Sequence, residues 1–215
     1  IGPATVGLVT LRKGSFEGAL VALWATLPFF VSYFAGQSSP FLAVMSIIAL
    51  VNMLLVANVL RATASWSVAL VADVVVAVGL AIVAGVVFQN DLSLLMSDLT
   101  EIFATASQQM EQEFVLPPPS SILSWVAWMT ALSALLGLVV ARWWQALLFN
   151  PGGFQDEFQG IRLEAKVGVG CLLLVILGFT VLGDFQFWLQ LASIPLIVCG
   201  LSILHYTVKV KKAGG

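Results

Sequence analysis

Asp73 combines a chemically active side chain with an unusual setting, because it is the only acid well inside an apolar run of this sequence. A carboxylate in hydrocarbon is costly unless a proton or a partner neutralises it. Ala77, Ala81 and Gly85 follow on the same helix face, and such small residues let another helix approach closely. We therefore expect Asp73 to face protein, as a hydrogen-bonded structural acid, a proton or cation site, or a ligand contact.

Three polar residues near the preceding apolar run are candidate partners for Asp73. Asn52 and Asn58 lie on that run, and Arg61 follows it and would pair with Asp73 if its side chain reaches inward. Proton relays use several ionisable groups, so a single acid argues only weakly for a pump. An ion-coupled carrier that uses Asp73 remains one hypothesis, and it predicts a water-accessible path to that residue.

The sequence lacks the patterns of common catalytic and metal sites. Metal sites need clustered ligands, but His205 is the single histidine, and Cys171 and Cys199 lie in apolar surroundings. His-Glu-x-x-His and Gly-x-Ser-x-Gly are both absent from the sequence. We expect no enzyme, no cofactor and no metal site.

Composition identifies the environment of these residues. Of 215 residues, 60% are hydrophobic and only 9% are charged, whereas about a quarter of the residues of a soluble domain are charged. The 9 basic residues do not exceed the 11 acidic ones, so nucleic acid is not an expected partner. Two cysteines exclude a disulfide scaffold. The class that remains is an all-α, polytopic transmembrane helical bundle in contact with lipid.

Six complete apolar runs are long enough to cross the membrane as helices, which takes about 20 residues each. A partial apolar segment, residues 1–11, precedes them and is too short to cross the membrane. We expect it to be the tail of a truncated span, or a buried or interfacial segment. Residues 1–215 then form a single transmembrane domain, and the natural chain would extend at either end. The six runs are 17–35, 40–60, 67–88, 121–148, 166–183 and 186–208.

The positions of the charged residues predict an orientation. If the six runs cross the membrane alternately, every Lys and Arg falls on one side, and the other side carries only acidic residues. Positive charge marks the cytoplasmic face. We therefore predict a multi-pass protein of the bacterial inner membrane with these basic residues in the cytoplasm: Arg12, Lys13, Arg61, Arg142, Arg162, Lys166, Lys209, Lys211 and Lys212.

Residues 89–118 form the long outer connection, and their pattern predicts an amphipathic helix. The proline run at 117–119 would end this helix. Membrane-binding helices are usually basic and this one is acidic, so packing across the tops of the spans is expected. The helix is a structural lid, a gate over a ligand cavity, or a docking surface. Its apolar face comprises Leu92, Leu95, Met96, Leu99, Ile102, Phe103, Ala106, Met110 and Phe114.

Residues 149–165 form the inner connection, predicted to be a turn followed by a short interfacial helix. Asn-Pro starts turns and Gly-Gly permits unusual backbone angles. Phe154, Phe158 and Ile161 recur at helical spacing, which would leave Asp156 and Glu157 facing water. The segment either ends the preceding helix and forms an interfacial helix, or it is a contact surface for a cytoplasmic partner. The motif consists of Asn150, Pro151, Gly152, Gly153, Phe154, Glu157, Phe158 and Arg162.

Two stretches resemble the YybS-like family of bacterial membrane proteins. Asn-Pro-Gly-Gly-Phe at 150–154, followed by Glu157-Phe158 and Arg162-Leu163, is similar to a late motif of that family, and residues 7–14 resemble its first inner loop. The family has no settled function, so the resemblance implies architecture. That architecture is similar to the substrate-binding subunits of energy-coupling-factor vitamin transporters, which have about six spans.

Small residues and prolines on the spans suggest packing faces and kinks. Gly18, Ala22 and Ala25 line one face of the first span, for contact within the chain or with a membrane partner, as an alanine-rich face does in the vitamin transporters. Pro28 and Pro195 are predicted to kink spans one and six in their outer halves. Broken helices can line a cavity.

Two functional hypotheses follow. The first is a small-solute binding or transport component without its own ATPase, which predicts a cavity with inward polar groups beneath residues 90–116. The second is a membrane scaffold that recruits cytoplasmic or envelope proteins, which predicts a solid bundle with an exposed apolar patch at Phe154 and Phe158.

Overall fold

The computed structural model describes residues 2–37, 40–110, 119–182 and 185–213, and within these ranges it contains helices and no strand. The predicted all-α class is therefore confirmed. The helices are α1 (Gly2–Lys13), α2 (Ser15–Phe34), α3 (Pro40–Thr63), α4 (Trp66–Val87), α5 (Gln89–Met110), α6 (Pro119–Phe149), α7 (Gly153–Gln159), α8 (Ala165–Thr180), α9 (Gln186–Gln190) and α10 (Ser193–Ala213).

Five helical stretches in the described ranges are long and apolar enough to cross a membrane: α2, α3, α4, α6 and the consecutive α9 and α10. Five of the six predicted spans therefore correspond to a helical stretch that could cross a membrane. The run predicted at 166–183 instead forms α8, which has 16 residues. At about 1.5 Å per residue, α8 is roughly 24 Å long, shorter than the hydrocarbon layer of about 30 Å.

A five-helix core is formed by α1, α2, α3, α4 and α6, which pack extensively on one another. Alanines contribute many of its contacts, because a small side chain lets two helix backbones approach closely without a cavity between them. Ala77 and Ala81, predicted to share the inward face of Asp73, are both fully buried. Other fully buried alanines of the core are Ala57, Ala69, Ala127, Ala131, Ala134 and Ala141.

The predicted partial segment at the start of the chain is the buried helix α1. Its Val6 and Thr10 are fully buried, and the Thr10 hydroxyl donates to the Val6 carbonyl at 2.7 Å. A Cβ on Gly137 of α6 would meet Pro3 at 3.2 Å. The segment is therefore buried within the bundle.

The small-residue face of α2 is used inside the chain. Gly18 and Ala22 are buried, and a Cβ on Gly18 would lie 2.0 Å from Thr10 Oγ1 of α1. This close approach is what a glycine permits and a larger residue prevents. On this face the structure therefore shows contact within the chain, rather than an open surface for a membrane partner.

The α8–α10 unit packs at the side of the core, and α8 is its largely exposed helix. Of the residues of α8, all of which are described, Gly178 alone is buried. The predicted sixth span is interrupted between α9 and α10, and Pro195 lies in the first turn of α10, where its missing N–H costs little. The break therefore precedes Pro195, whereas α2 continues through Pro28 from Ser15 to Phe34.

The predicted outer amphipathic helix is present as α5, and residues 111–118, including Phe114, lie outside the described ranges. Its apolar face turns toward α3 and α4: Leu92 is buried, Leu95 and Leu99 are half-buried, and Ser97 is exposed. Ile102 is the exception on that face, at 60% exposure. The helix is therefore held mainly through its first turns.

Candidate functional sites

Several basic residues meet at one end of the bundle, which we call the basic end. The Arg12 guanidinium stacks 3.7 Å from the centroid of the Phe149 ring. This contact joins the end of α1 to the end of α6. Arg61, at the end of α3, lies beside Gly14. Lys209 of α10 pairs with Asp156 of α7 at 2.8 Å. These contacts agree with the grouping of basic residues predicted from the sequence.

Glu157 of α7 joins three helices at the basic end. Arg142 of α6 holds its carboxylate with two parallel contacts, donating from Nε to Oε1 at 3.0 Å and from a terminal nitrogen to Oε2. The indole of Trp66, in the first turn of α4, donates to Oε1 at 2.6 Å. A fork-shaped Arg–carboxylate pair fixes geometry as well as charge. This cluster anchors the short α7 to the core.

The prediction that both acids of α7 face water is correct for Asp156 and wrong for Glu157. The Asp156 side chain is 74% exposed, whereas the Glu157 side chain is 27% exposed. Helical spacing places the two neighbouring residues on the polar side of α7, but it cannot reveal that Trp66, 91 positions away, lies within reach. Trp66 and Arg142 are the functional candidates that sequence reasoning missed.

The Asn-Pro-Gly-Gly motif turns the chain from α6 into α7. Gly152 has a φ of 88°, in the left-handed region that favours glycine. A Cβ on Gly153 would fall 2.1 Å from Nδ2 of Asn150, so a larger residue there would displace the Asn150 side chain. In the structure α6 ends at Phe149, directly before this motif, and α7 begins at Gly153.

The aromatic residues of α7 face inward. The Phe154 and Phe158 rings lie 5.9 Å apart, and His205 of α10 meets Phe158 edge-on at 5.5 Å. Both phenylalanines are half-buried against the core. The exposed patch that the scaffold hypothesis predicts at these two residues is therefore not observed.

Arg162 ties the end of the motif to α10. One of its terminal nitrogens donates to the carbonyls of Gln159 and Ile161, at 3.0 and 2.8 Å. The same nitrogen reaches the hydroxyl of buried Ser202 at 3.2 Å. Together with the Lys209–Asp156 pair, these bonds attach α10 to α7.

A cavity of about 480 Å³ lies between α6, α7 and α10 at the basic end. This volume is within the range of small-molecule sites, about 300 to 1,000 Å³. Most of its wall is apolar or aromatic, and a few polar groups point into it. The apolar wall includes Val139, Trp143, Leu147, Phe154 and Phe158, and the polar groups belong to Gln155, Gln159 and His205.

A second candidate site is a buried amide–acid pair in the core. Asn52 Nδ2 donates to Asp73 Oδ1 at 2.7 Å, and it lies 3.5 Å from the Thr130 carbonyl of α6. Asn52 is 0% exposed and Asp73 is 1% exposed. The structure thus brings together Asp73 and one of its predicted partners, on the protein-facing side predicted for it.

The other two predicted partners of Asp73 are engaged elsewhere. The side-chain oxygen Oδ1 of Asn58 accepts a hydrogen bond from the Ser15 hydroxyl at 2.7 Å. The side-chain nitrogen Nδ2 of Asn58 donates to the Leu54 backbone carbonyl at 2.8 Å. Arg61 is exposed beside Gly14. Neither residue contributes to the buried pair.

A second cavity, of about 430 Å³, lies between α3 and α6. Thr130, whose carbonyl faces Asn52, is part of its wall, as is Ala49, one helical turn before Asn52. Ser46 and Ser133 add hydroxyl groups to the wall. The cavity therefore shares Thr130 with the surroundings of the buried pair, although neither Asn52 nor Asp73 lines it.

Comparison of the chain with protein-family models, with curated proteins and with solved structures finds no match. Within the described ranges, no group of three or more His, Cys, Asp or Glu residues could hold a metal ion. The two cavities and the buried pair are consequently the features on which a function can be argued.

Proposed function

We propose that this chain is an integral membrane protein that binds a small amphiphilic molecule at its basic end, as a solute-binding or transport component without its own ATPase. The observation that carries the proposal is the 480 Å³ cavity between α6, α7 and α10. Its apolar wall would hold the hydrocarbon or ring portion of a ligand. Gln155, Gln159 and His205 would meet the polar portion.

The location of the cavity differs from the one expected from the sequence. A transport component was expected to hold its cavity beneath the outer helix, but this cavity lies at the opposite, basic end. Its wall is formed by α7, which Glu157 fastens to Arg142 and Trp66. A wall fixed by charged hydrogen bonds holds its shape before the ligand arrives, which lowers the entropic cost of binding.

The remaining parts of the proposal concern the orientation of the protein in the membrane, its family and its energy source. The basic end would face the cytoplasm of a bacterium, since Lys and Arg mark the cytoplasmic side of inner-membrane proteins. We also propose that the chain belongs to the YybS-like family, on the basis of the motif at Asn150–Arg162. Energy for transport would come from a partner protein or an ion gradient.

The scaffold hypothesis receives less support. It depends on Phe154 and Phe158 being open to a partner, and both rings are half-buried and packed against the core. A scaffold would also leave unexplained why α7 borders a half-open cavity of ligand size.

The experiment is native mass spectrometry of the protein purified from its native membrane in mild detergent. Ala146→Phe would fill the cavity, and Leu148→Phe, at a 69% exposed position of the same helix, is the matched control. We expect a small molecule bound to the wild type and to Leu148→Phe but lost from Ala146→Phe. A ligand retained by Ala146→Phe would contradict the proposal, and a stable protein complex with no small molecule would favour the scaffold.

A further inference from the structure

The buried pair in the core contains two oxygens that no hydrogen bond satisfies. Asn52 Oδ1 and Asp73 Oδ2 are both buried, and neither has a hydrogen-bond partner among the described residues. An unsatisfied buried acceptor costs about 1 to 3 kcal/mol. Two such acceptors on neighbouring, interacting side chains indicate that something positively charged or hydrogen-donating belongs between them.

From this geometry we infer that the Asn52–Asp73 pair binds a small monovalent cation, either a proton or Na⁺. One positive charge would neutralise the Asp73 carboxylate, and the two unsatisfied oxygens would be its ligands. Oxygen ligands suit hard cations. The single carboxylate of Asp73 balances one positive charge, so a divalent cation would leave a net charge buried in the bundle.

No protein cation occupies that position. In the described part of the chain, the ion pairs are Arg142–Glu157 and Lys209–Asp156, both at the basic end. Arg61, the basic residue of α3, is nine positions beyond Asn52, roughly 14 Å along the helix axis, and it lies beside Gly14. The charge of Asp73 is therefore left to a bound ion or proton.

The titratable groups on the helices that pack against the pair are held away from it. Arg142 of α6 is bound to Glu157. On α10, Cys199 meets the Leu163 backbone, and His205 bonds to the Leu201 carbonyl. On α5, Asp91 is in the first turn of the helix at the other end of α4. The site consequently depends on Asp73 alone for charge.

The cavity between α3 and α6 approaches the pair at Thr130, and exchange of the ion would require movement of the side chains between them. Thr130 belongs to the wall of this cavity, and its carbonyl lies 3.5 Å from the Asn52 amide nitrogen. Hydroxyl groups of Ser46 and Ser133 also line the cavity. The inference is independent of the cavity at the basic end, so either can fail without the other.

The test uses the full chain in mild detergent, treated with a membrane-permeant carbodiimide, which reacts with protonated buried carboxyl groups. Labelling of Asp73 is followed by peptide mass spectrometry in Na⁺ and in K⁺. Asp73→Asn removes the site, and Asp98→Asn, at an exposed position of α5, is the matched control. Infrared spectra report whether Asp73 carries a proton, and unfolding temperatures report whether Na⁺ binds.

If the ion is Na⁺, labelling slows by about tenfold when Na⁺ reaches roughly ten times its dissociation constant, and Na⁺ raises the unfolding temperature relative to K⁺. Asn52→Ala abolishes both effects. If the ion is a proton, a carboxylic acid C=O band is present in both salts, and Asp73→Asn removes it while Asp98→Asn does not. An Asp73 that stays an ionised carboxylate, with the same unfolding temperature in Na⁺ and K⁺, would overturn the inference.

Discussion

The five-helix core and the α8–α10 unit are built from equally apolar sequence but differ in what holds them. Core helices meet through alanines and glycines, as at Gly18 against Thr10 and Gly137 against Pro3. In α8, a Cβ on Gly170 would meet nothing within 4 Å. Composition alone makes both regions suitable for lipid. In α8 the close approach is to the neighbouring α9, where a Cβ on Gly178 would meet Leu189 at 3.0 Å, whereas Gly18 and Gly137 approach other helices of the core.

The α8–α10 unit is joined to the core by apolar packing and by a few polar contacts. Leu191, Ile194 and Val198 belong to the buried hydrophobic cluster of the core. At one end the Trp128 indole donates to the Phe187 carbonyl at 3.1 Å. At the basic end, Arg162 bonds to Ser202, and Lys209 pairs with Asp156. The proposed ligand cavity lies beside the second set of contacts, at the basic end, where α10 meets α6 and α7. The comparison teaches that the cavity occupies the boundary between the core helix α6 and the α8–α10 unit.

The largest expected effect is on the glycine contacts that distinguish the two regions. Gly18→Leu should destabilise the protein by about 3 kcal/mol because its Cβ clashes with buried Thr10. Gly170→Leu should change stability by less than about 0.5 kcal/mol, since that position is open. Thermal unfolding in detergent measures both, and equal losses for the two variants would break the comparison.

The next effect concerns the attachment of α7 to the core. Glu157→Ala removes three hydrogen bonds and leaves the partly buried Arg142 without its partner, so we expect a loss of about 2 kcal/mol. Asp156→Ala, in the same helix, breaks an exposed pair and should cost less than about 0.5 kcal/mol. Chemical denaturation measures the difference. A loss from Asp156→Ala as large as that from Glu157→Ala would show that α7 is not held as described.

A smaller effect is expected where α6 meets α9. Trp128→Phe removes the hydrogen bond to the Phe187 carbonyl and should weaken the attachment of α9 by about 1 kcal/mol. Trp125→Phe keeps an aromatic ring near Phe187, whose ring lies 6.3 Å from that of Trp125, and serves as the control. Hydrogen exchange of the α9 amides measures the change. Unaltered exchange in Trp128→Phe would mean that other contacts hold the unit.

The smallest effect on stability is expected at the buried pair, even though it lies in the core. Asp73→Asn keeps the volume of the side chain and can supply an N–H to Asn52 Oδ1, so it should cost less than about 1 kcal/mol. Thermal unfolding checks this expectation. A loss above about 3 kcal/mol would indicate that a charged Asp73 is itself required for folding.

Features that depend on spacing within one helix could be predicted from the sequence. The inward face of α4 at Asp73, Ala77 and Ala81, the polar face of α5 and the helix stop at Gly152 all follow from periodicity or backbone angles. The Asn52–Asp73 contact was within reach because few polar groups lie inside the apolar runs, so the choice of partners was small.

Features that depend on which helices meet could not be predicted. Glu157 looks solvent-facing from its position in α7, and only the approach of α4 and α6 turns it into an anchor for Trp66 and Arg142. The length of α8 and the break before Pro195 also depend on packing, because an uninterrupted apolar run does not record where its helix bends away. Cavities leave no pattern in one sequence, since their walls come from distant segments.

The measurement that tests the central claim most directly is hydrogen–deuterium exchange of the full chain, as purified and after removal of bound small molecules. The claim is that a ligand occupies the boundary between the core and the α8–α10 unit. It predicts that α8–α10 exchanges faster than α3, α4 and α6, and that removing the ligand speeds exchange at α7 and around His205 only. Uniform exchange across the chain, or a change confined to α5, would contradict it.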